Sequence, residues 1–448
     1  MEGQRGTGMY DHIIRQATIV RPEGQFKADV GIEDGKISAI GELDGATGRA
    51  ETDARGMLLL PGFVDTHVHF RCPGHPAKED WHSGSKAAAA GGVTSVCDMP
   101  NTSPPTVSRK EWLQKDELAA RQSIVDYGIW AGAAAGNAEE IGELIRERLA
   151  CGVKVFMGAT TGPLLVDDKT LAAHFQITPG VMGVHAEDET LLNHFRERGR
   201  GQTTPDHSVL RPPEAAVEAV RRLIELCETW PREVHICHLS TAAELELLRA
   251  RKQRLPITVE VCTHHLWLST KDALGNWMKC NPPIRDEADR LAMWEALEAE
   301  VDSLASDHAP HTRAEKERGY WEAPSGIPGV ETTLPLMLRG VWEGRLSLQR
   351  LVALGAQRPA EIFGLEGKGR VEVGKDADLV LVEPGTMRVL EEADLHTRVG
   401  WSPFTGWKMA SAPREVWVRG RTVAKEGKIV AEAGSGRRIP LGPLTTRH

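Results

Sequence analysis

Between residues 58 and 365, short apolar runs alternate with amphipathic stretches eight times, and this repetition is the strongest constraint on the fold. The strand candidates are LLLPGFVDTHVHF, TSVCDMP, VDYGIWAGA, GVKVFMG, GVMGVHAED, EVHICHLS, ITVEVCTHH and VDSLASDHAP. Between several of them lie NAEEIGELIRERLA, PEAAVEAVRRLIELCETW, TAAELELLRARKQ and EADRLAMWEALEAE, whose apolar residues recur at i, i+3 and i+4, the period of a helix packed on one face. Eight strands with intervening helices predict a (β/α)8 barrel, the TIM-barrel form of the α/β class, with its site at the carboxyl ends of the strands. An open doubly wound sheet fits less well, because no strand is followed by G-x-G-x-x-G or a P-loop.

The two ends of the chain read differently. HIIRQATIV and ADVGIEDGKISAIG are strand-like, with Asp34-Gly35 as a hairpin turn, and REVWVRGRTVAKEGKIVAE turns at Glu426-Gly427. Each end alone has too few strands for a stable core. Residues 10–57 and 366–448 are therefore expected to pair into one small composite β-domain beside a barrel of residues 58–365, with residues 1–9 as a disordered leader. A length of 448 residues suits this division, since a barrel takes about 250 to 300.

A net charge of −9 and a pI near 6.0 argue against a nucleic-acid or anionic-membrane surface and favour a small-molecule partner. No apolar run approaches the roughly 18 residues of a membrane span, and the start lacks a secretory layout, so a cytoplasmic location is expected. The seven cysteines are dispersed without a C-x-x-C pair and read as reduced and mostly buried.

The chemistry sits at the strand ends. In residues 64–71, V-D-T-H-V-H-F-R, strand alternation sends His67 and His69 to one face with Asp65 and Arg71. Lys154 lies inside an apolar strand: one reading is a snorkelling side chain, the other a buried amine whose depressed pKa lets it take up carbon dioxide as a metal-bridging carbamate. Strand five ends at His185. Strand six offers His235 and His238, of which alternation allows only one to reach the centre; His238 is nearer the rim and His235 reads as structural. His264 and His265 are adjacent and read as packing or supporting residues, and strand eight supplies Asp307 as ligand and proton acceptor, with His308 and His311 behind it. Four imidazoles, a carboxylate and a carbamate exceed one closed zinc site and suit two divalent ions, which generate hydroxide from water and polarise a carbonyl. With no G-x-S-x-G elbow, metal-bound hydroxide is the expected nucleophile.

These residues resemble the amidohydrolase superfamily and, within it, the dihydroorotases. The resemblance runs through PGFVDTHVHFR, AAAAGGVTSVCDMPNT, VKVFMG, GVHAED, HICHLST, CNPPIRDEADR, SDHAPHTRAEK, APSGIPGVET and GKDADLVLV, in order, over almost the whole chain. H-x-H is shared across the superfamily; HVHFR with MPNT, NPPIR and DHAPHT is far more specific. It implies that His67, His69 and Asp307 bind the more buried metal, that His185 and His238 bind the second, and that a carbamate on Lys154 bridges two zinc ions. It also implies that Arg71, Asn101, Asn281 and His311 contact the substrate while the backbone around Ser325 and Gly326 closes over it. The implied reaction is reversible hydrolysis of L-dihydroorotate to N-carbamoyl-L-aspartate in pyrimidine synthesis. A homo-oligomer and an association with aspartate transcarbamoylase are compatible with the resemblance.

One departure is Cys72, where such enzymes commonly have Glu after the strand-one arginine. Arg71 suits a substrate carboxylate, which its guanidinium grips in a bidentate manner; the competing reading is a salt bridge to Glu79 or Asp80. Two other functions compete: a cyclic-amide hydrolase acting on a neutral ring, such as an allantoinase or dihydropyrimidinase, and a catalytically silent scaffold of the same fold.

Overall fold

The computed structural model describes residues 9–160, 162–203 and 206–444. Of the expected leader, residues 1–8 lie outside the described residues, whereas Met9 opens the first strand, Met9–Arg21.

Eight parallel strands form the barrel in the order in which they occur along the chain. They are Phe63–Val68, Val93–Asp98, a third split into Asp126–Ile129 and Ala131–Gly132, then Val153–Phe156, Met182–His185, Val234–Ile236, Ile257–Cys262 and Ser303–Ala305. The third strand breaks at Trp130, whose indole Nε1 donates to Thr66 O at 3.0 Å across the interior. Closure joins strand eight to strand one: Val68 bridges His308, His69 N donates to His308 O at 2.7 Å, and Asp65 Oδ1 accepts from Ser306 N at 3.2 Å. Helices cover the outside, and their buried faces share one core with the strands, as Ala219, Leu223 and Cys227 of Pro213–Thr229 illustrate.

The chain ends meet in a nine-stranded sheet. Leu58–Pro61 pairs in it with Met9–Arg21 on one side and Leu379–Val382 on the other. The first apolar run thus divides: LLLP serves this sheet, and the barrel strand starts only at Phe63, after Gly62. Both hairpin turns have two successive residues at positive φ, Asp34 and Gly35 at 50° and 76° and Glu426 and Gly427 at 51° and 74°, as a tight two-residue hairpin requires.

Not all of the C-terminal part stays with that sheet. Met387–Val389 and Lys408–Ala410 form a separate hairpin, and Leu390, Phe404 and Met409 join the barrel core. Within the same excursion Thr397 Oγ1 donates to Glu79, and Trp401 Nε1 donates to His311 O at 2.8 Å, so it roofs the first and eighth strand ends. Further on, Arg437 and Ile439 hydrogen-bond to Tyr127 at 2.9 and 2.8 Å, alongside the third strand. No helix among the described residues is long and apolar enough to cross a membrane.

Candidate metal centre and substrate cavity

At the carboxyl mouth of the barrel one cavity is lined by His67, His69, Arg71, Asn101, His185, His238, Asn281, Asp307, Ser325 and Gly326, with Phe156 and Thr160 on its wall. Each comes from a strand or the loop after it. Regular strand geometry does not carry all of them: Arg71, His238 and Asp307 have φ of 59°, 40° and 44°. Left-handed backbone at a non-glycine residue costs about 1–3 kcal/mol, and here it turns the chain just past each strand so that the side chain faces the cavity.

Asp307 Oδ1 lies 3.0 Å from His69 Nε2 and 3.4 Å from His67 Nε2. The other nitrogen of each ring is engaged: His67 Nδ1 stands 2.8 Å from Glu260 Oε1, and His69 Nδ1 stands 2.6 Å from Asn101 Oδ1. Burial lowers the pKa of His69 to about 3, so this neutral ring has one proton for two oxygen neighbours. Burial and Lys154 oppose a charge on His67, yet Glu260 and Asp307 outweigh them and raise its pKa to about 10. Burial also disfavours the charge on Asp307, but His67 and His69 hold its pKa below the ordinary range. A carboxylate and ring nitrogens converging on one point form a donor set that calls for a cation, and His67, His238 and Asp307 offer ligand atoms within 4.8 Å of one another.

On the opposite side His185 Nδ1 and His238 Nε2 are 3.1 Å apart, while His185 Nε2 is 2.8 Å from Glu187, itself paired with Arg211. Burial lowers the pKa of both rings, which leaves them as neutral nitrogen donors. Lys154 is fully buried, and its Nζ reaches Cys237 Sγ at 2.9 Å. Its Nζ also lies 5.4 Å from the ring centre of Phe156, which lines the cavity. The residues therefore fit a metal centre.

Arg71 forms no ion pair among the described residues. Its guanidinium donates to Pro310 O at 3.3 Å and meets His311 Nε2 at 3.1 Å, while burial lowers its pKa only to about 10, so it stays charged. The two acids weighed as its salt-bridge partners are engaged elsewhere: Asp80 pairs with Arg398, and Glu79 is 3.2 Å from His308 and accepts from Thr397. His311 stands behind Arg71, within 3.0 Å of Ser325 O. Asn281, on the cavity wall, has its Oδ1 2.9 Å from His207 Nε2.

Some expectations need correction. His235 does not turn away from the interior; it lies deeper in the barrel, with Nδ1 2.8 Å from Thr258 Oγ1 and Nε2 3.4 Å from Glu260 Oε2. Strand six ends at Ile236, so alternation no longer governs residue 238. Arg71 likewise reaches the cavity through a turn past Val68, not through strand alternation. His264 and His265 open a short helix, Thr263–Trp267, and neither lines the cavity.

Sequence reasoning missed Glu260, Glu187, His207 and Lys316. Glu260, the one charged residue in I-T-V-E-V-C, carried a readable signal; Glu187 and Lys316 had none beyond their place in GVHAED and SDHAPHTRAEK, and His207 had none. A second acidic group, Asp126, Asp376 and Asp378, is not a ligand set, because Lys368 Nζ occupies its centre at 2.5 to 2.9 Å from all three.

Eight parallel strands with a histidine and carboxylate cluster at their carboxyl ends define a metal-dependent hydrolase barrel. The family model described as "Amidohydrolase family" matches residues 58–423, and the chain belongs to that family. The chain is 39% identical over 445 residues to the dihydroorotase of Methanosarcina acetivorans, covering 96% of this chain and 95% of the relative. It is 37% identical over 438 residues to the allantoinase of Rubrobacter xylanophilus, covering 94% and 96%. Among solved structures, the L-hydantoinase (dihydropyrimidinase) of Arthrobacter aurescens superposes with a TM-score of 0.93 at 31% identity, covering 96% of this chain and 100% of that one. This chain is thus a hydrolytic enzyme of a metal-dependent family.

Proposed function

We propose that this enzyme is a dihydroorotase, opening the L-dihydroorotate ring reversibly to N-carbamoyl-L-aspartate. The observation that carries this reading is Arg71: a buried, charged guanidinium on the cavity wall that forms no ion pair among the described residues. Dihydroorotate brings a carboxylate beside its ring, and a planar guanidinium binds that group through two parallel hydrogen bonds. Allantoin and dihydrouracil lack the carboxylate.

In this reading His67, His69 and Asp307 would hold one zinc ion, His185 and His238 would hold the other, and a carbamate on Lys154 would supply a ligand to the centre. When bound, such a pair lowers the pKa of water toward neutrality and polarises a carbonyl oxygen. Arg71 and Asn281 orient the substrate with Asn101 beside them on the cavity wall, His311 supports Arg71 from behind, and the backbone at Ser325 and Gly326 closes the cavity. Asp307 accepts the proton that water gives up and delivers it to the ring nitrogen as the amide C–N bond breaks; for ring closure it starts protonated. A cytoplasmic enzyme of pyrimidine synthesis, as a homo-oligomer or in association with an aspartate transcarbamoylase, accords with this chemistry.

A second reading, a hydrolase of neutral cyclic amides, has the similarity to allantoinase and hydantoinase in its favour. Hydrolysis of dihydroorotate, allantoin and dihydrouracil by zinc- and bicarbonate-reconstituted protein, with Arg71→Ala in parallel, separates the two. Turnover confined to dihydroorotate and lost in the variant is the expected result; turnover of a neutral ring, indifferent to Arg71, transfers the assignment to the second reading.

A further inference from the structure

Below the ring of candidate ligands lies a second polar layer that the reaction itself does not use. Its centre is Glu260, 1% exposed, in the middle of the seventh barrel strand, Ile257–Cys262. One oxygen, Oε1, is 2.8 Å from His67 Nδ1 and also accepts from the backbone N of His238 at 3.1 Å. The other, Oε2, is 3.4 Å from His235 Nε2, whose Nδ1 faces Thr258 Oγ1 at 2.8 Å. A single carboxylate thus joins strands one, six and seven. It also touches one ligand of each metal half: the ring of His67 and the left-handed turn, φ 40°, that aims His238.

Glu260 could instead be counted as a ligand, since it groups with His67 and Cys237 within ligand distance. Its neighbours argue otherwise. Its oxygens already face donors from two other strands, and Cys237 Sγ is taken by Lys154 Nζ at 2.9 Å. A histidine that gives one ring N–H to a carboxylate has its tautomer fixed and its other nitrogen made more basic. Here Nδ1 is the engaged atom and Nε2 faces Asp307.

Resting on the reading of this centre as a two-metal site, we propose that Glu260 is the positioning residue that sets His67 with Nε2 toward the metal and anchors the His238 turn, so that one buried carboxylate holds both halves of the centre in register. Removing its charge weakens both halves together, by about 10- to 100-fold in metal affinity.

The test is zinc binding by Glu260→Gln and Glu260→Asp beside the parent, read by titration against a competing chelator and by metal content after dialysis. The ¹⁵N spectrum of the histidines in cadmium-loaded protein supplies a readout independent of turnover. Glu260→Gln keeps the shape and loses the charge; Glu260→Asp keeps the charge and loses the reach. Melting of the metal-free proteins identifies a variant that fails to fold, and the other is then read. The expected result is two ions in the parent, weaker binding at both sites in the variants, and a His67 signal that no longer reports a fixed tautomer. Parent-like affinity in a folded variant overturns this inference alone. A parent that binds no zinc overturns the metal reading and this inference with it.

Discussion

His69 and Asp307 face each other across the barrel mouth, Nε2 3.0 Å from Oδ1, although they are 238 residues apart in the chain. Asp307 is the carboxylate of the centre that also borders the open cavity, which suits it to move a proton as well as to bind. Asp307→Asn keeps the volume and removes the basicity. Turnover in both directions is expected to fall by at least about 10²-fold with dihydroorotate binding still measurable by calorimetry. Near-normal turnover in either direction contradicts the role.

Lys154→Met replaces the buried amine with an apolar chain of similar length. Metal content is expected to drop from two ions to one or none, with kcat falling in step. In the parent, native mass spectrometry is expected to show a bicarbonate-dependent adduct that the variant lacks. A variant that retains two ions argues against a bridge at this position.

Lys316 tests closure of the cavity. Its buried Nζ donates to Lys279 O, Pro324 O and Gly326 O at 3.2, 3.1 and 3.0 Å, tying the loop of Ser325 and Gly326 to the segment before Asn281. Lys316→Met leaves three inward-facing carbonyls without this donor. KM is expected to rise by about tenfold, the equivalent of one hydrogen bond of ordinary strength, with kcat within a few-fold of the parent. An unchanged KM shows that the loop closes without it.

The pH dependence of stability should carry the mark of Glu244. It is buried at the third position of the helix Ala242–Arg249 and accepts from Thr241 N at 2.9 Å. Burial raises its pKa from 4.5 to about 7, against the hydrogen bonds from Thr241 and the charge of Arg285. The folded chain then keeps a proton that the unfolded chain has lost. Its stabilising contribution is full below pH 4.5 and disappears as pH rises through about 7. The change amounts to about 3 kcal/mol. Glu244→Gln is expected to flatten this part of the profile, measured as denaturant midpoints across pH 4 to 8; parallel profiles for variant and parent contradict it.

Lys368 holds the small sheet to the barrel. It pairs with Asp126 of the third barrel strand and with Asp376 and Asp378 just before Leu379–Val382, all buried. Lys368→Met leaves three acids without their shared cation and is expected to cost about 3–5 kcal/mol, the penalty for breaking a buried pair. Thermal unfolding is the check, and a melting temperature within a degree or two of the parent refutes the clamp.

Local periodicity made much of this readable. Each of the eight apolar runs contains a barrel strand, the first only in its second half after Gly62, and Asp34-Gly35 and Glu426-Gly427 are the turns that the residue types announce. His67, His185, His238 and Asp307 could be singled out because each polar group interrupts or ends an apolar run, which is costly unless it has work at the mouth. His238 lines the cavity and His235 does not, as the sequence reading sorted them, but the alternation argument behind the sorting fails, because it extends past Ile236, where the strand has already ended.

The sequence by itself determined the alternation of strand and helix, the order of the strands, and the residue types at their carboxyl ends. These follow from hydrophobic period and turn chemistry, which act over a few residues. Tertiary structure alone decided that Leu58–Pro61 leaves the barrel for the sheet and that the hairpin around Met387–Val389 returns from the sheet to roof the site. It also decided that the left-handed turns at Arg71, His238 and Asp307 aim their side chains inward. The pairing of His67 with Glu260, 193 residues away, belongs with these. Such contacts depend on barrel closure bringing distant strands within hydrogen-bond reach, and no local pattern encodes which buried polar groups will then meet.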